Sequence, residues 1–481
     1  MVFTGKPSRA CAHCRRRKLR CDLRKQACGQ CVRAGLTCSG YRDPNQLRIR
    51  DESNLTRQKV LESRRIIRLN VQTIDLSIEE LARATFCSHY VNGLAKTYDV
   101  LQSIGKQSPL DKHLAASLDA ASLAFFYFRH YSTDAARRAQ EKYLSALPLV
   151  NKALGSADLV ARDSTLLAVL LLDLFEKIMN NNPRSSDSWM SHVNGALALL
   201  KVRDVHQFQS YVGLRLSVRL FTNMLISCVA ANAPIPPALD KLRQKLDPLL
   251  DPLDPKWRVS GLVMDYSNFR GALQTGCLAP SDVVLQAKIL DDKFRVLAER
   301  LPPSWIRHSV PGSKQSDRVF EQYYDVYPDY FTAQTRNVIR MMRILLHDTI
   351  RSAYTELATS DDYPCLDQHI RSSVEMIDSL AQEICAPGPQ FTAVENVRDK
   401  IDDFSSVRKM HYYTLLFPFY VAGLFASPES GITEWVVSRL RSMASTSGIK
   451  NARLVADILT ASEKPAPWTI YAVLGSYAFA A

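Results

Sequence analysis

The chain has 481 residues, 46% hydrophobic and 23% charged, a balance that excludes wholesale disorder and fibrous repeats and allows two or three domains with at least one large core. The best apolar run, Leu166 to Leu172, is seven residues against the about 20 of a membrane-spanning helix, and no apolar leader follows Met1, so the sequence predicts neither a membrane span nor secretion. The net charge of +13 lies wholly in residues 1–70, with 18 Lys and Arg against 5 Asp and Glu, while the other 411 residues balance 43 basic against 43 acidic side chains: a basic arm or module for a polyanion, attached to a neutral body.

The first element in the chain is a cysteine cluster. Six of the eleven cysteines are spaced Cys11-x2-Cys14-x6-Cys21-x6-Cys28-x2-Cys31-x6-Cys38, so C-x2-C-x6-C occurs twice with an offset of 17 residues. The other five, Cys87, Cys228, Cys277, Cys365 and Cys385, stand singly and read as core or loop residues. A C-x2-C pair presents two thiolates from one turn, and zinc takes four tetrahedral ligands with sulfur a favoured donor. A disulfide scaffold needs an oxidising compartment that nothing here signals. An iron–sulfur cluster or a single zinc finger uses four cysteines and leaves two over. Two zinc ions need eight ligand positions, which six thiolates supply when two of them bridge. The leading residue of each half, Cys11 and Cys28, is the natural bridge, and His13 is not needed as a ligand.

The string Cys11-Ala-His-Cys14-Arg-Arg-Arg-Lys18-Leu-Arg-Cys21-Asp22 resembles the DNA-binding module of the fungal binuclear zinc-cluster transcription factors, which runs C-x2-C-R-x-R-K-x-K-C-D. Arg15, Arg17, Lys18 and Asp22 match, and Arg20 keeps the charge of a lysine. Gln26 departs from the pattern, standing where the family often places a proline. The resemblance implies a short helix in the major groove reading a G·C-rich triplet, with Lys18 making the main base contact. Arg15, Arg17, Arg20 and Lys25 then suit phosphates, which position without specifying. It also implies a nuclear regulator of RNA polymerase II transcription, with double-stranded DNA and the transcription machinery or co-regulators as partners. The charges agree: two zinc ions and six thiolates sum to −2, and Arg15–Arg20 surround that core with positive charge. The segment after Cys14 has no Pro or Gly until Gly29, so it can form a helix held at each end by a thiolate.

The expected division is a zinc-stapled module over 9–40, a basic linker and short helix over 41–70, and a large all-α domain of antiparallel helix pairs over 71–481. Residues 39–50, with Gly40 and Pro44, read as linker. Residues 51–68 carry Arg57, Lys59, Arg64, Arg65 and Arg68, but Leu55, Val60, Leu61, Ile66 and Ile67 do not hold a 3.5-residue period, so a coiled coil is unsupported and a homodimer is left open. The basic runs also suit nuclear import. Ser77-Ile-Glu-Glu80 is a capping box opening a helix to about Val100. Helices are expected over Asp111–Tyr131, Asp134–Leu154, Leu159–Met179 and Ser188–Arg203, and the proline-rich residues 232–256 should break the body into two halves.

Three stretches of the body resemble the helical regulatory domain found behind the zinc cluster in one branch of that family. They are Trp189-x2-His192-x2-Gly195-Ala196-x2-Leu199-Leu200; Tyr327-x-Asp329 through Asn337-x2-Arg340-x2-Arg343 to His347; and Leu416 to Gly423 with Gly448-Ile449-x2-Ala452. They read as packing signatures, with Gly195-Ala196 allowing close helix contact and His192 a core residue. No phosphate loop, dinucleotide fingerprint, nucleophile elbow or H-E-x-x-H pattern occurs, so no enzymatic activity is expected. The competing class is a ligand-sensing or scaffold protein whose cluster contacts proteins; the 13 basic against 2 acidic residues in the first 50 argue against it.

Overall fold

The computed structural model describes residues 8–43, 76–92, 97–107, 109–179, 195–199, 202–203, 205–231, 233–312, 318–360, 365–392 and 406–474. The chain divides into two compact units, Met1–Asp75 and Leu76–Ala481. The expected helix over 51–68 lies outside the described residues, as do Trp189 and His192.

The described residues of the first unit form two five-residue helices, α1 (Ala12–Arg16) and α2 (Gly29–Arg33), too short to persist alone. Among its described residues the buried core is sulfur: Cys11, Cys14, Cys28 and Cys31, with Ala10, Cys21, Cys38 and Tyr41 packed around them.

The second unit is helix after helix. Ser77 caps α3 (Ile78–Phe86) through the expected capping box, its Oγ accepting from the Glu80 amide while Glu80 accepts from the Ser77 amide at 2.8 Å. The helix does not run to Val100. It loosens into a π turn, Cys87–Val91, whose wider winding puts His89, Tyr90 and Val91 all inside, and α4 (Val100–Gln107) starts afresh. Phe86, Tyr90, Tyr98 and Phe125 close this corner, with the Phe86 and Tyr90 rings 4.7 Å apart.

The next three helices follow the sequence reading closely: α5 (Lys112–His130), α6 (Thr133–Leu154) and α7 (Asp163–Met179). Tyr131 stops α5 in a left-handed turn (φ 53°), and Ser132 caps α6, so the two helices reverse on a two-residue hinge and pack together. Of the fourth expected helix, residues 195–199 are described and helical. Ala196 and Leu199 are buried, while Gly195 is exposed and meets nothing within 4 Å of a Cβ position among the described residues.

After α8 (Val205–Gln209), α9 (Tyr211–Ala230) is the one described helix long and apolar enough to cross a bilayer, and 67% of that apolar window is buried inside the body. The proline-rich stretch folds instead of dividing. Pro237 and Pro255 occupy the first positions of α10 (Pro237–Leu246) and α11 (Pro255–Gln274), where a missing N–H breaks no helix bond. Leu239, Leu242 and Leu246 are buried in the same cluster that runs through the rest of the body. Beyond α12 (Pro280–Glu299) come two four-residue antiparallel strands, β1 (His308–Pro311) and β2 (Tyr323–Val326), with His308 opposite Val326. Then follow α13 (Tyr330–Ser360), α14 (Cys365–Cys385), α15 (Gly388–Thr392), α16 (Ser406–Phe425), α17 (Ile432–Ser447), α18 (Lys450–Thr460) and α19 (Pro467–Leu474). The third sequence motif packs here. Leu416, Phe419 and Ala422 are fully buried, and a Cβ on Gly423 would stand 3.1 Å from Leu459 of α18, so glycine lets α16 and α18 approach.

Candidate metal centre and nucleic-acid face

Each helix of the small unit starts on a cysteine. The Cys11 sulfur accepts from the Cys14 amide and the Cys28 sulfur from the Cys31 amide, both at 3.4 Å. Each helix ends on a left-handed residue, Lys18 (φ 54°) after α1 and Gly35 (φ 63°) after α2, where the Leu19 amide returns to the Cys14 carbonyl and the Leu36 amide to the Cys31 carbonyl. A second left-handed pair is Leu23 (φ 54°) and Gly40 (φ 74°). Both pairs keep the 17-residue offset of the cysteines. The halves also cap each other: the Asp22 carboxylate accepts from the Gly29 amide that opens α2, and the Ser39 hydroxyl accepts from the Ala12 amide that opens α1.

This repeat gathers all six sulfurs. Cys11, Cys14, Cys21 and Cys28 form one tetrad and Cys11, Cys28, Cys31 and Cys38 another, with the sulfurs of each within 4.8 Å of one another; Cys11 and Cys28 are common to both. Cys11 lies 3.7 Å from Cys28 and 3.6 Å from Cys31, and Cys14 lies 3.6 Å from Cys28. Four thiolates set tetrahedrally at about 2.3 Å from zinc have sulfurs about 3.8 Å apart, so the donor set fits the metal. Ionising these thiols together needs a counter-charge. Burial, then the neighbouring thiols Cys11 and Cys28, push Cys14 far above the ordinary thiol range, and burial with Cys28 and Cys11 pushes Cys31 up to about 12. Cys38, receiving the Cys28 and Gly40 amides, is pulled down to about 7. Six thiolates in this space require cations, and two Zn²⁺ reduce their charge to −2.

The cationic residues sit differently from the expected helix. α1 begins before Cys14 and stops at Arg16, because Lys18 turns left-handed to bring Cys21 back to the sulfurs. Arg17, Lys18 and Arg20 therefore lie on the turn past the helix, all exposed. Arg15 is half-buried and donates to the Ala10 carbonyl. Lys25 is exposed on the connection between the halves, beside Arg24, which pairs with Asp22 at 3.2 Å. Sequence reasoning missed the tail. Ser39 caps α1, Tyr41 packs against the sulfurs and donates to the Arg24 carbonyl, and the Arg42 amide reaches the Arg9 carbonyl. The signal was available: Ser39 is the repeat partner of Asp22.

Residues 9–48 match the fungal Zn(2)-Cys(6) binuclear cluster domain. The unit is a zinc module, and its two metal ions are held by the cysteine cluster. Residues 106–255 match the fungal specific transcription factor domain, so the chain carries both domains of the fungal zinc-cluster transcription factors and is a transcription regulator with a DNA-binding module. Neither match is to an enzymatic family. No curated protein and no solved structure matches the chain.

Proposed function

We propose that the protein is a nuclear, sequence-specific regulator of RNA polymerase II transcription whose module reads a G·C-rich triplet in the major groove. The six ligands are Cys11, Cys14, Cys21, Cys28, Cys31 and Cys38, with Cys11 and Cys28 bridging the two zinc ions. Lys18 reads the base edges; Arg15, Arg17, Arg20 and Lys25 hold phosphates, Arg15 with its unbonded nitrogens. Residues 9–40 find the site, 41–70 link, and 71–481 recruit co-regulators or the transcription machinery; a homodimer would add a second half-site.

One observation carries this reading. The exposed run Arg16, Arg17, Lys18 and Arg20 crowns the end of α1, and the equivalent turn of the second half, Arg33, Ala34, Gly35 and Thr37, keeps a single charge. A cluster used only as a scaffold has no need of that asymmetry. Selection of sites from random DNA by the purified full chain tests it. Enriched G·C-rich triplets are expected; recovery of unbiased DNA sinks the proposal.

A further inference from the structure

The second sequence motif, Tyr327 through His347, is not explained by DNA binding, and its polar residues converge on a cavity. Arg336, Arg340 and Arg343 lie at i, i+4 and i+7 of α13, on one face. With Ala298, Ile339, Leu380 and Glu383 they line a cavity of about 40 Å³ where α12, α13 and α14 meet. One water needs about 10–15 Å³ measured this way, so the space holds a group of three or four heavy atoms.

Two of the arginines are paired. Arg340 donates to Glu383 at 2.9 Å, to Asn337 at 2.9 Å and to the Tyr327 hydroxyl at 2.6 Å. Arg343 donates to Asp291 at 2.7 Å. Arg307, from the start of β1, pairs with Asp325 at 3.0 Å and reaches Glu383 at 3.9 Å. Arg336 has no carboxylate within ion-pair distance among the described residues. Its guanidinium carbon lies 5.7 Å from the Tyr327 ring centre, and its Nε is shut off from solvent with no acceptor. Among the described residues, four guanidinium groups thus face three carboxylates, Asp291, Asp325 and Glu383. Burial lowers the Arg336 pKa, Tyr327 opposes this, Arg340 and Arg307 reinforce it, and Glu383, already bonded to Arg340, opposes it last, so Arg336 shares that carboxylate with another guanidinium.

We infer that this cavity binds the carboxylate group of a small organic acid, with Arg336 as its principal partner. A carboxylate brings one negative charge, which matches the excess of one guanidinium over the carboxylates described there, and two oxygens in a plane, which match the guanidinium fork. Glu383, its side chain 41% exposed, stands at the rim and disfavours a dianion such as phosphate. The rest of the acid leaves the cavity on that side. The site lies in the helical body and is independent of the DNA reading.

The test is thermal unfolding of the full chain in acetate, in inorganic phosphate and in chloride at matched ionic strength. Acetate is expected to raise Tm saturably above chloride. Arg336→Gln should abolish that response, and Arg336→Lys, keeping the charge without the fork, should shift the midpoint to about tenfold higher acetate. No acetate response in the wild-type chain, a response to phosphate alone, or an unchanged midpoint in Arg336→Lys overturns the inference. The lysine variant decides the matter even if Arg336→Gln does not fold.

Discussion

Both carboxylate oxygens of Asp22 lie 3.0 Å from the amide nitrogen of Gly29, so the residue after the third cysteine caps the helix that begins after the fourth. A Cβ on Gly29 would stand 2.7 Å from one of those oxygens. Gly29→Ala should push the carboxylate aside and remove the cap, a loss of about 0.5–2 kcal/mol. Ser39→Ala, on the other helix, should lose a similar amount. Competition with a chromophoric chelator measures both; zinc retention equal to wild type in Gly29→Ala would show that the cap does not hold the module together.

The two tetrads predict unequal metal loss. Cys28 belongs to both and Cys38 to one. Wild-type protein should contain two zinc ions, Cys28→Ala none, and Cys38→Ala one retained more weakly. Strong chelation should unfold the module, whose core is sulfur, yet leave the helical signal of the body in circular dichroism. Equal zinc content in the two variants would argue against Cys28 as a bridge.

Lys18 holds a left-handed backbone at a position where the second half has Gly35. That conformation costs a non-glycine residue about 1–2 kcal/mol. Lys18→Gly should therefore keep or raise zinc stability while losing discrimination between a selected site and a scrambled one, typically about 1–3 kcal/mol per good base contact. Arg17→Ala should weaken both DNAs alike and flatten the salt dependence by about 0.9 in log–log slope. Fluorescence titrations at several salt concentrations separate the two effects; equal losses on both DNAs for Lys18→Gly would make it a phosphate clamp.

Acid should destabilise the body. Burial pulls both His89 and His411 down to about 4, with His411 and Arg129 adding repulsion at His89. His411 stacks on Tyr330 at 3.9 Å and His89 on Phe125 at 5.1 Å. In the unfolded chain imidazoles protonate near pH 6.5, so below that pH the unfolded state takes up protons the folded state refuses. Stability is complete above about pH 6.5 and should fall toward pH 4, by up to about 1.4 kcal/mol per pH unit for each histidine. Urea denaturation between pH 7.5 and 5 reads the slope, and His411→Phe should reduce it, leaving the share of His89 and of His113, which burial also lowers. A flat profile would show that these imidazoles titrate normally.

Asp173, which ends the Leu166–Leu172 run, is buried and accepts from Lys177 at 2.6 Å and Asn223 at 3.1 Å. Asp173→Ala removes a buried carboxylate from the Lys177 ammonium and the Asn223 amide and should cost about 3–5 kcal/mol. The double change Asp173→Leu, Lys177→Met should recover most of it. Thermal unfolding compares the three; a double variant no better than the single would mean the site cannot repack.

The cysteine spacing made the metal centre legible because ligand count is an arithmetic property of the chain. The shape of the reading face was not: spacing cannot report that Lys18 turns left-handed, so α1 was expected to continue past Arg16. In the body, α5 and α6 were plain from periodicity. The break after α3 was not, since a π turn keeps apolar residues at nearly helical spacing. The prolines near 237 and 255 misled because proline stops a helix in its interior but suits its first turn. The cavity at Arg336 was visible only as a string of polar residues in a motif; which arginine lacks a partner depends on three separate helices.

The 17-residue repeat also separates two jobs that one small domain must do. Sulfurs, caps and left-handed turns recur in both halves, while the side chains displayed at equivalent positions diverge: Arg15 against Val32, Arg17 against Ala34, Lys18 against Gly35. The scaffold is thus indifferent to what its outer surface carries. A chain with Val32→Arg and Gly35→Lys would keep every metal ligand and carry the same basic side chains on both halves, so charge can be moved between the halves without touching the metal centre.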